Sequence, residues 1–248
     1  MRLDVFFKVG EVAPADVSGR VVAVVDVLRA STTIAVALAN GAKTVIPFES
    51  SEDVIVRSKS FTKSEVKLAG ERKMHTIPGF DLGNSPREFT REAVEGKTVL
   101  LSTTNGTAAL MSINGARDTV VAAFVNFSPI VALLRSAIRG GTDVAIVCAG
   151  HDRHFSLEDA VCAGKFTRTI TKDLTGVTIN DGAYAAGLLD ARYEDNRTRV
   201  FSDSEHGRAL AEAGFADDLV VAGTIDAYPV VPIYQDRQIT KLGPDRER

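Results

Sequence analysis

The apolar residues in the first part of the chain form short, nearly continuous runs, and segments with apolar residues at helical spacing lie between several of them. Six runs have the β-branched composition of strands buried on both faces of a sheet: residues 21–25, 44–48, 66–69, 98–101, 119–123 and 144–148. Helical spacing occurs at residues 32–39, 51–59, 106–113 and 128–138. This alternation predicts an α/β fold, a three-layer α/β/α arrangement with a largely parallel or mixed sheet.

After residue 156 helical spacing dominates, at residues 157–172, 181–191 and 204–213. A last apolar run, residues 230–234, predicts a returning strand, and Pro229 and Pro232 favour a position toward the sheet edge because proline cannot donate to a strand ladder. The final segment GPDRER is expected to be frayed. Gly140 and Gly141 are typical of a helix C-cap. We predict one compact domain over residues 1–248, with a subdivision near residue 140 as the alternative.

The composition narrows the classes of protein. With 248 residues, 45% of them hydrophobic and 25% charged, the chain can bury a sizeable core. A net charge of −3 offers no electrostatic basis for binding nucleic acid. Two cysteines, Cys148 and Cys162, make neither a disulfide framework nor a metal knuckle. No apolar run suits a signal peptide or a membrane span, so we expect a cytoplasmic protein.

The segment VVAVVDVLRASTT, residues 21–33, shows the first candidate chemistry. Its buried strand ends at Asp26, and Arg29, Ser31 and Thr32 follow at the start of a helix. A helix N-terminus has unpaired N–H groups with partial positive charge, and an arginine can hold an oxyanion bidentately. The alternative is a capped helix with a surface ion pair.

In the segment LLSTTNGTAAL, residues 100–110, a buried strand again ends in polar residues at the start of a helix, but none of these side chains is charged. Its hydroxyl and amide side chains are more numerous than a helix cap needs, and its glycine allows close approach of a ligand. The candidate residues are Thr103, Thr104, Asn105, Gly106 and Thr107. The alternative is an ordinary capped turn between strand and helix.

Two further segments add polar groups. The loop PGFDLGNSP, residues 78–86, supplies Asn84 and Ser85, and the tripeptide GER upstream supplies Glu71 and Arg72. Long structured loops are often functional, although a turn-rich surface connection would look the same.

The segment VCAGHDRHFSLEDAVCAG, residues 147–164, places carboxylates at a helix start. Ser156 and Asp159 are close to a capping box, which would also explain Glu158. Alternatively, the carboxylates hold a hard cation such as Mg²⁺, which prefers oxygen ligands. His151 and His154 lie in the preceding loop, and surface positions are expected for both.

Loops at the carboxyl ends of parallel strands converge on one crevice of an open α/β sheet, so these segments could line one pocket. Arginines, neutral donors and carboxylates together suit a phosphorylated or carboxylated small molecule with a divalent metal. Several known mechanisms are excluded by their missing motifs: the nucleotide P-loop, the H-E-x-x-H zinc site, the G-x-S-x-G nucleophile elbow, and the signatures of haloacid-dehalogenase-type and cysteine phosphatases.

The segments DVLRASTT, GER, PGFDLGNSP, TTNGT and SLEDAVCAG, in this order, resemble the 2-phosphosulfolactate phosphatase family, and HGRALAEAGFADD resembles its C-terminal part. The resemblance implies a three-layer α/β/α fold and a magnesium-dependent acid phosphatase of coenzyme M biosynthesis, which converts 2-phosphosulfolactate to sulfolactate and phosphate. The chain departs from the family after GER, where Lys73, Met74, His75 and Thr76 stand in place of further glycines. A differently shaped loop is expected there, and the substrate could be another phosphorylated 2-hydroxy acid.

The hypothesis of phosphomonoester hydrolysis with Mg²⁺ as cofactor assigns roles to these residues. Catalytic candidates are Asp26, Arg29, Glu158 and Asp159, with Asp26 left open between metal ligand, nucleophile and base. Metal candidates are Asp26, Glu71, Glu158 and Asp159. Phosphate and substrate candidates are Ser31, Thr32, Arg72, Asn84, Ser85, Thr103, Thr104, Asn105, Gly106, Thr107 and Ser156. Two other functions stay open, a non-catalytic sensor of phosphorylated metabolites and a phosphotransferase. The sequence does not reveal the oligomeric state, for which a homodimer is only the common default.

Overall fold

The computed structural model describes residues 1–194 and 196–243 of the chain. Its strands are β1 Arg2–Phe6, β2 Val21–Val25, β3 Thr44–Phe48, β4 Val66–Arg72, β5 His75–Thr76, β6 Thr98–Ser102, β7 Asp118–Ala122, β8 Val144–Cys148, β9 Thr178–Ile179, β10 Pro232–Gln235 and β11 Gln238–Lys241. Its α-helices are α1 Pro14–Val17, α2 Ala30–Ala39, α3 Ser51–Ser58, α4 Arg91–Val94, α5 Gly106–Ser112, α6 Phe127–Arg139, α7 Leu157–Thr171, α8 Asp181–Tyr193, α9 Arg199–Asp203, α10 Glu205–Leu210 and α11 Ala216–Gly223. The segment Ala211–Phe215 joins α10 to α11 across a kink at Gly214, where φ is 91°.

The strands form one mixed sheet in the order β5-β4-β6-β3-β11-β10-β7-β2-β8-β1-β9. Parallel pairing joins β4, β6 and β3 into one block, and β7, β2, β8, β1 and β9 into a second. The antiparallel hairpin β10–β11 lies between the blocks and pairs antiparallel with β7 and β3. Because three antiparallel pairings in a row separate β3 from β7, the strands of the first block run antiparallel to those of the second.

Sheet twist explains how loops from both blocks meet. Five strand-to-strand steps separate β6 from β2. At about 20–25° per step the sheet turns through roughly 100–125° over that distance. The strand directions of the two blocks therefore differ by much less than a full reversal, and the carboxyl ends of β4, β6, β2 and β8 can face one cavity.

Helices cover both faces of the sheet, as the sequence predicts. In β2 the side chains of Val21, Ala23 and Val25 enter one core with α6 and α7, whereas Val22 and Val24 enter a second core with α2 and α5. This alternation follows from the two-residue period of a strand, and the continuous apolar run of β2 reflects burial on both faces. The α/β prediction with a mixed sheet is confirmed.

The position predicted for the last strand is wrong. β10 lies inside the sheet between β7 and β11, although it contains Pro232. Pro232 is the first residue of the strand, where a missing N–H removes no necessary ladder bond. The strands β1, β5, β9 and β11 were not predicted. Residues 244–248, most of the segment expected to be frayed, lie outside the described residues.

Strand β8, at residues 144–148, lies between two strands from the start of the chain. It pairs with β2 on one side and with β1 on the other. Gly140 is the C-cap of α6, as predicted, and Gly141 follows with φ of 86°. Within residues 1–194 and 196–243, no helix combines the length and apolarity that crossing a membrane would need.

Candidate active site

A cavity of about 400 Å³ lies where the loops after β2, β6 and β8 meet the end of β4 and the helix α10. The residues lining it are Asp26, Leu28, Arg29, Glu71, Arg72, Lys73, Met74, Asn84, Thr103, Thr104, Asn105, His151, Asp152, His206 and Ala209. Eight residues proposed from the sequence are therefore brought together at its wall: Asp26, Arg29, Glu71, Arg72, Asn84, Thr103, Thr104 and Asn105. The other residues proposed from the sequence do not line the cavity: Ser31, Thr32, Ser85, Gly106, Thr107, Ser156, Glu158 and Asp159.

The loop after β2 is shaped by its own polar groups. The Asp26 carboxylate accepts a hydrogen bond from the Ala30 N–H at 3.1 Å through Oδ1. The Ser31 hydroxyl oxygen accepts from the Asp26 N–H at 2.9 Å, and the Thr32 hydroxyl donates to the Val27 carbonyl at 2.8 Å. The hydroxyls of Ser31 and Thr32 are thus bonded to backbone and fix the loop, while Asp26 reaches the cavity.

Burial dominates the electrostatics of Asp26. Desolvation raises the pKa of this carboxyl to about 7, and the charges of Glu71 and Glu158 raise it as well. His206 and the hydrogen bond from Ala30 act in the opposite direction. A carboxyl with a strongly raised pKa in a cleft is typical of functional sites.

Arg29 is held on three sides. Its guanidinium donates to the Asp218 carboxylate at 2.8 Å and to the Met74 carbonyl at 2.9 Å, and it lies 4.4 Å from the centre of the Phe215 ring. The Ser85 hydroxyl donates to the second oxygen of Asp218 at 2.6 Å. Ser85 therefore supports the partner of Arg29 and does not face the cavity. The peptide bond between Leu28 and Arg29 is cis.

Glu71, at the end of β4, connects the block formed by β4, β6 and β3 to the cavity. One carboxylate oxygen accepts from both the N–H and the hydroxyl of Thr104 at 2.8 Å, and the other accepts from the Met74 N–H at 3.1 Å. Arg72 beside it donates to the Ser102 hydroxyl at 2.9 Å. Lys73 and Met74 occupy the following turn with φ of 50° and 71°, and both line the cavity.

The start of α5 packs tightly against Asp26. A Cβ atom on Gly106 would lie 2.5 Å from the Asp26 Oδ2 and 2.4 Å from the Cβ of Ala30. Only glycine therefore fits at this position. The Thr107 N–H donates to the Thr103 hydroxyl oxygen at 3.2 Å, which caps the helix locally.

Two residues that line the cavity, Asn84 and His151, each have a buried side-chain atom with no hydrogen-bond partner among the described residues, the Asn84 Oδ1 and the His151 Nδ1. The Asn84 Oδ1 is buried and has no hydrogen-bond partner within the described part of the chain, whereas its backbone carbonyl accepts from the Thr33 hydroxyl at 2.8 Å. Because buried polar atoms are nearly always paired, this amide oxygen points to a ligand.

The two carboxylates at the start of α7, those of Glu158 and Asp159, contact different groups. Ser156 caps the helix by accepting from the Asp159 N–H at 3.3 Å. Asp159 accepts from the N–H groups of Val27 at 2.8 Å and Gly150 at 3.3 Å, so it joins the loops after β2 and β8. Burial, with the charges of Asp26 and Glu158, raises the pKa of Asp159 well above its usual value.

Glu158 is buried and lies beside His206, with 3.6 Å between its Oε1 and the Nδ1 of the imidazole. Burial tends to raise the pKa of Glu158, but His206, the backbone N–H of Glu158 and the Ser204 hydroxyl together hold it below the usual value. Glu158 therefore stays ionised behind the cavity wall.

The sequence arguments missed several residues. His206 and Asp218 lie in the segment HGRALAEAGFADD, but no role could be assigned to them there. His151 was expected at the surface and instead lines the cavity, stacked on His206 with 4.0 Å between ring centres. His154 is exposed, as expected. Lys73 could be placed in the loop but not at the wall.

Comparison with known proteins identifies relatives over nearly the whole chain. Residues 7–237 match the model of a family described as 2-phosphosulpholactate phosphatase. A protein of Symbiobacterium thermophilum named "Probable 2-phosphosulfolactate phosphatase" is 39% identical over 93% of this chain and 98% of its own length. Proteins with the same name from Synechococcus sp. and Caldanaerobacter subterraneus are 40% and 38% identical, over 94% and 88% of this chain and 95% and 88% of their own lengths. The chain therefore belongs to the 2-phosphosulpholactate phosphatase family.

Proposed function

We propose that this chain hydrolyses the phosphomonoester of a 2-hydroxy acid in the presence of Mg²⁺, with 2-phosphosulfolactate as the first substrate to test and 3-sulfolactate and phosphate as its products. The names of the relatives supply this substrate. The observation that carries the proposal is the composition of the cavity wall, where buried Asp26 and Glu71 face the same space as Arg72 and Lys73. A substrate with a phosphate and further acidic groups needs cations, and a metal-assisted phosphatase also needs carboxylates.

The donor set at the wall fits magnesium. Mg²⁺ prefers oxygen ligands, and it is usually bound by one or two carboxylates together with water and substrate phosphate. Asp26 and Glu71 would hold it, with the unpaired Asn84 Oδ1 as a further oxygen. Across the described residues, no group of three or more histidine, cysteine or acidic side chains forms a metal cage, so water and substrate phosphate would have to supply the remaining ligands. When bound, Mg²⁺ would neutralise phosphate charge and polarise the ester.

The chain's own residues would orient the substrate. Arg72 and Lys73 line the cavity and would bind the acidic groups of the 2-hydroxy acid. Arg29 would contribute positive charge near the phosphate from a fixed position, because Asp218 and the Met74 carbonyl hold its guanidinium. Such positioning and charge stabilisation supply most of the catalysis in phosphoryl transfer.

The direct test is a phosphate-release assay over 2-phosphosulfolactate, 2-phospholactate, phosphoglycolate and generic monoesters, with and without Mg²⁺. We expect release that depends on Mg²⁺ and is fastest with a 2-phospho acid. The variant Asp26→Asn should lose turnover by orders of magnitude, whereas Asp217→Asn, at an exposed ion pair with Arg87, should keep it. No release from any ester with Mg²⁺ would overturn the proposal, and transfer to an added alcohol in preference to water would indicate a phosphotransferase.

A further inference from the structure

His206 is presented to the cavity by a rigid piece of backbone. The Ser204 hydroxyl oxygen caps α10 by accepting from the Gly207 N–H at 3.0 Å, and His206 lies between them. Gly207 packs against the Phe201 carbonyl so closely that an added Cβ would lie 2.1 Å from that oxygen. The His206 side chain is 12% exposed and lines the cavity. The ring therefore occupies a defined place beside the space where the substrate would bind.

A buried carboxylate stands behind the ring. The Nδ1 of His206 is the nitrogen near Glu158, at 3.6 Å, which leaves Nε2 for the cavity. The Glu158 side chain is 2% exposed and does not line the cavity, so it cannot reach a substrate directly. A carboxylate beside one nitrogen of an imidazole restricts the orientation of the ring, as carboxylates do in hydrolytic triads and behind metal-bound histidines.

His151 restricts the ring from another side. The two imidazoles stack with 4.0 Å between centres and 26° between planes. The Glu158 carboxylate lies against the His206 member of this pair, and the His151 ring packs against the face of His206. The pair therefore presents the His206 ring to the cavity in a restricted orientation.

We propose that His206 is the proton donor to the leaving oxygen of the ester, and that Glu158 is its positioning residue; this inference rests on the proposed phosphatase function. As the bond between phosphorus and the ester oxygen breaks, its electron pair stays on that oxygen, which takes the proton from Nε2. The attacking water forms the new bond to phosphorus, and the proton that it releases restores the imidazolium. The products are the alcohol of the hydroxy acid and inorganic phosphate.

The leaving group distinguishes this role from a structural one. An aliphatic alkoxide needs a proton as it departs, whereas p-nitrophenolate does not. We expect His206→Asn to lower kcat for 2-phospholactate or 2-phosphosulfolactate by about 10²–10⁴-fold, the usual contribution of a general acid. KM should change little, and the loss with p-nitrophenyl phosphate should be much smaller. If the wild-type protein does not cleave that aryl ester, phosphoenolpyruvate, whose enolate leaves more readily than an alkoxide, takes its place.

Glu158→Gln should show the same leaving-group bias with a smaller loss, because glutamine keeps the shape of the side chain and an oxygen beside Nδ1 but removes the negative charge. His154→Asn, at an exposed residue of the same loop as His151, is the matched control and should behave as the wild-type protein. Unfolding curves of all variants separate misfolding from a lost proton donor. Two results would overturn the inference. One is a folded His206→Asn protein whose kcat for the aliphatic 2-phospho acid is within about tenfold of wild type, and the other is an equal loss of kcat for the aliphatic ester and for p-nitrophenyl phosphate. An inactive wild-type protein would instead refute the proposed phosphatase function.

Discussion

Arg29 and Asp218 form a buried ion pair at 2.8 Å although 189 positions separate them in the sequence. Both side chains are at most 3% exposed, and the Ser85 hydroxyl donates to the second carboxylate oxygen. The pair joins the loop that carries Asp26 to the helix α11 near the end of the described chain. It therefore fixes one wall of the cavity through a contact between distant parts of the sequence.

Removing one partner of this pair should be costly. We expect Asp218→Asn to lower the free energy of unfolding by about 3–5 kcal/mol, because the Arg29 charge stays buried without its counterion. Activity should fall as well, since the loop after β2 loses its anchor. Urea unfolding followed by circular dichroism measures the first effect, and phosphate release measures the second.

The neighbouring residue provides the control for that experiment. Asp217 pairs with Arg87 at 2.9 Å, but both side chains are more than half exposed. Asp217→Asn should therefore change the free energy of unfolding by at most about 1 kcal/mol. Equal effects of the two substitutions would contradict the importance assigned to the buried pair.

Gly106 should tolerate no side chain, because a Cβ there would overlap both Ala30 and the Asp26 carboxylate. We expect Gly106→Ala to destabilise the protein by about 1–3 kcal/mol, as overpacking usually does, and to reduce activity by displacing Asp26. Gly10→Ala is the matched control, since nothing lies within 4 Å of a Cβ at that position. Thermal unfolding and kcat of both variants test this, and an active, fully stable Gly106→Ala protein would contradict it.

The sequence predicted the strands well where burial on both faces leaves an unbroken apolar run. Residues 21–25, 44–48 and 144–148 have the same bounds in the sequence argument and in the structure. The position of β10 was not predictable, because a proline at the start of a strand and a proline at a sheet edge obey the same local rule. Which strands the β10–β11 hairpin joins depends on contacts far apart in the chain.

The sequence predicted which loops line the cavity but not the direction of each side chain. Helix caps and anion sites use the same hydroxyls and acids, so Ser31, Thr32 and Ser156 could not be separated from Thr104. The partners of Arg29 and Glu158 lie in the segment from residue 205 to 218. Nothing in the local pattern around Arg29 or Glu158 indicates a partner so distant.

The two cysteines should be unreactive in the native protein. Cys148 and Cys162 are buried, and burial raises the pKa of both thiols well above the usual value. The thiolate is the reactive species, so neither steric access nor ionisation favours modification. We expect no reaction with Ellman's reagent in native buffer and release of two equivalents of thiol in guanidinium chloride. Stoichiometric labelling of the folded protein would contradict the burial of one or both.

The raised pKa of Asp26 predicts how stability changes with pH in the magnesium-free protein. The carboxyl has a pKa of about 7 when folded and 3.8 as its ordinary value. Between these values the folded state binds more protons than the unfolded state, so this group's contribution to stability falls as pH rises from about 4 to about 7. Asp26→Asn lacks this ionisable group, so its stability does not contain that contribution. The unfolding free energy of Asp26→Asn minus that of the wild-type protein should therefore increase with pH by up to about 4 kcal/mol and level off above pH 7. Urea unfolding from pH 4 to pH 8 with a chelator present measures the difference, which Asp217→Asn should not show. A difference independent of pH would mean that Asp26 ionises with its ordinary pKa.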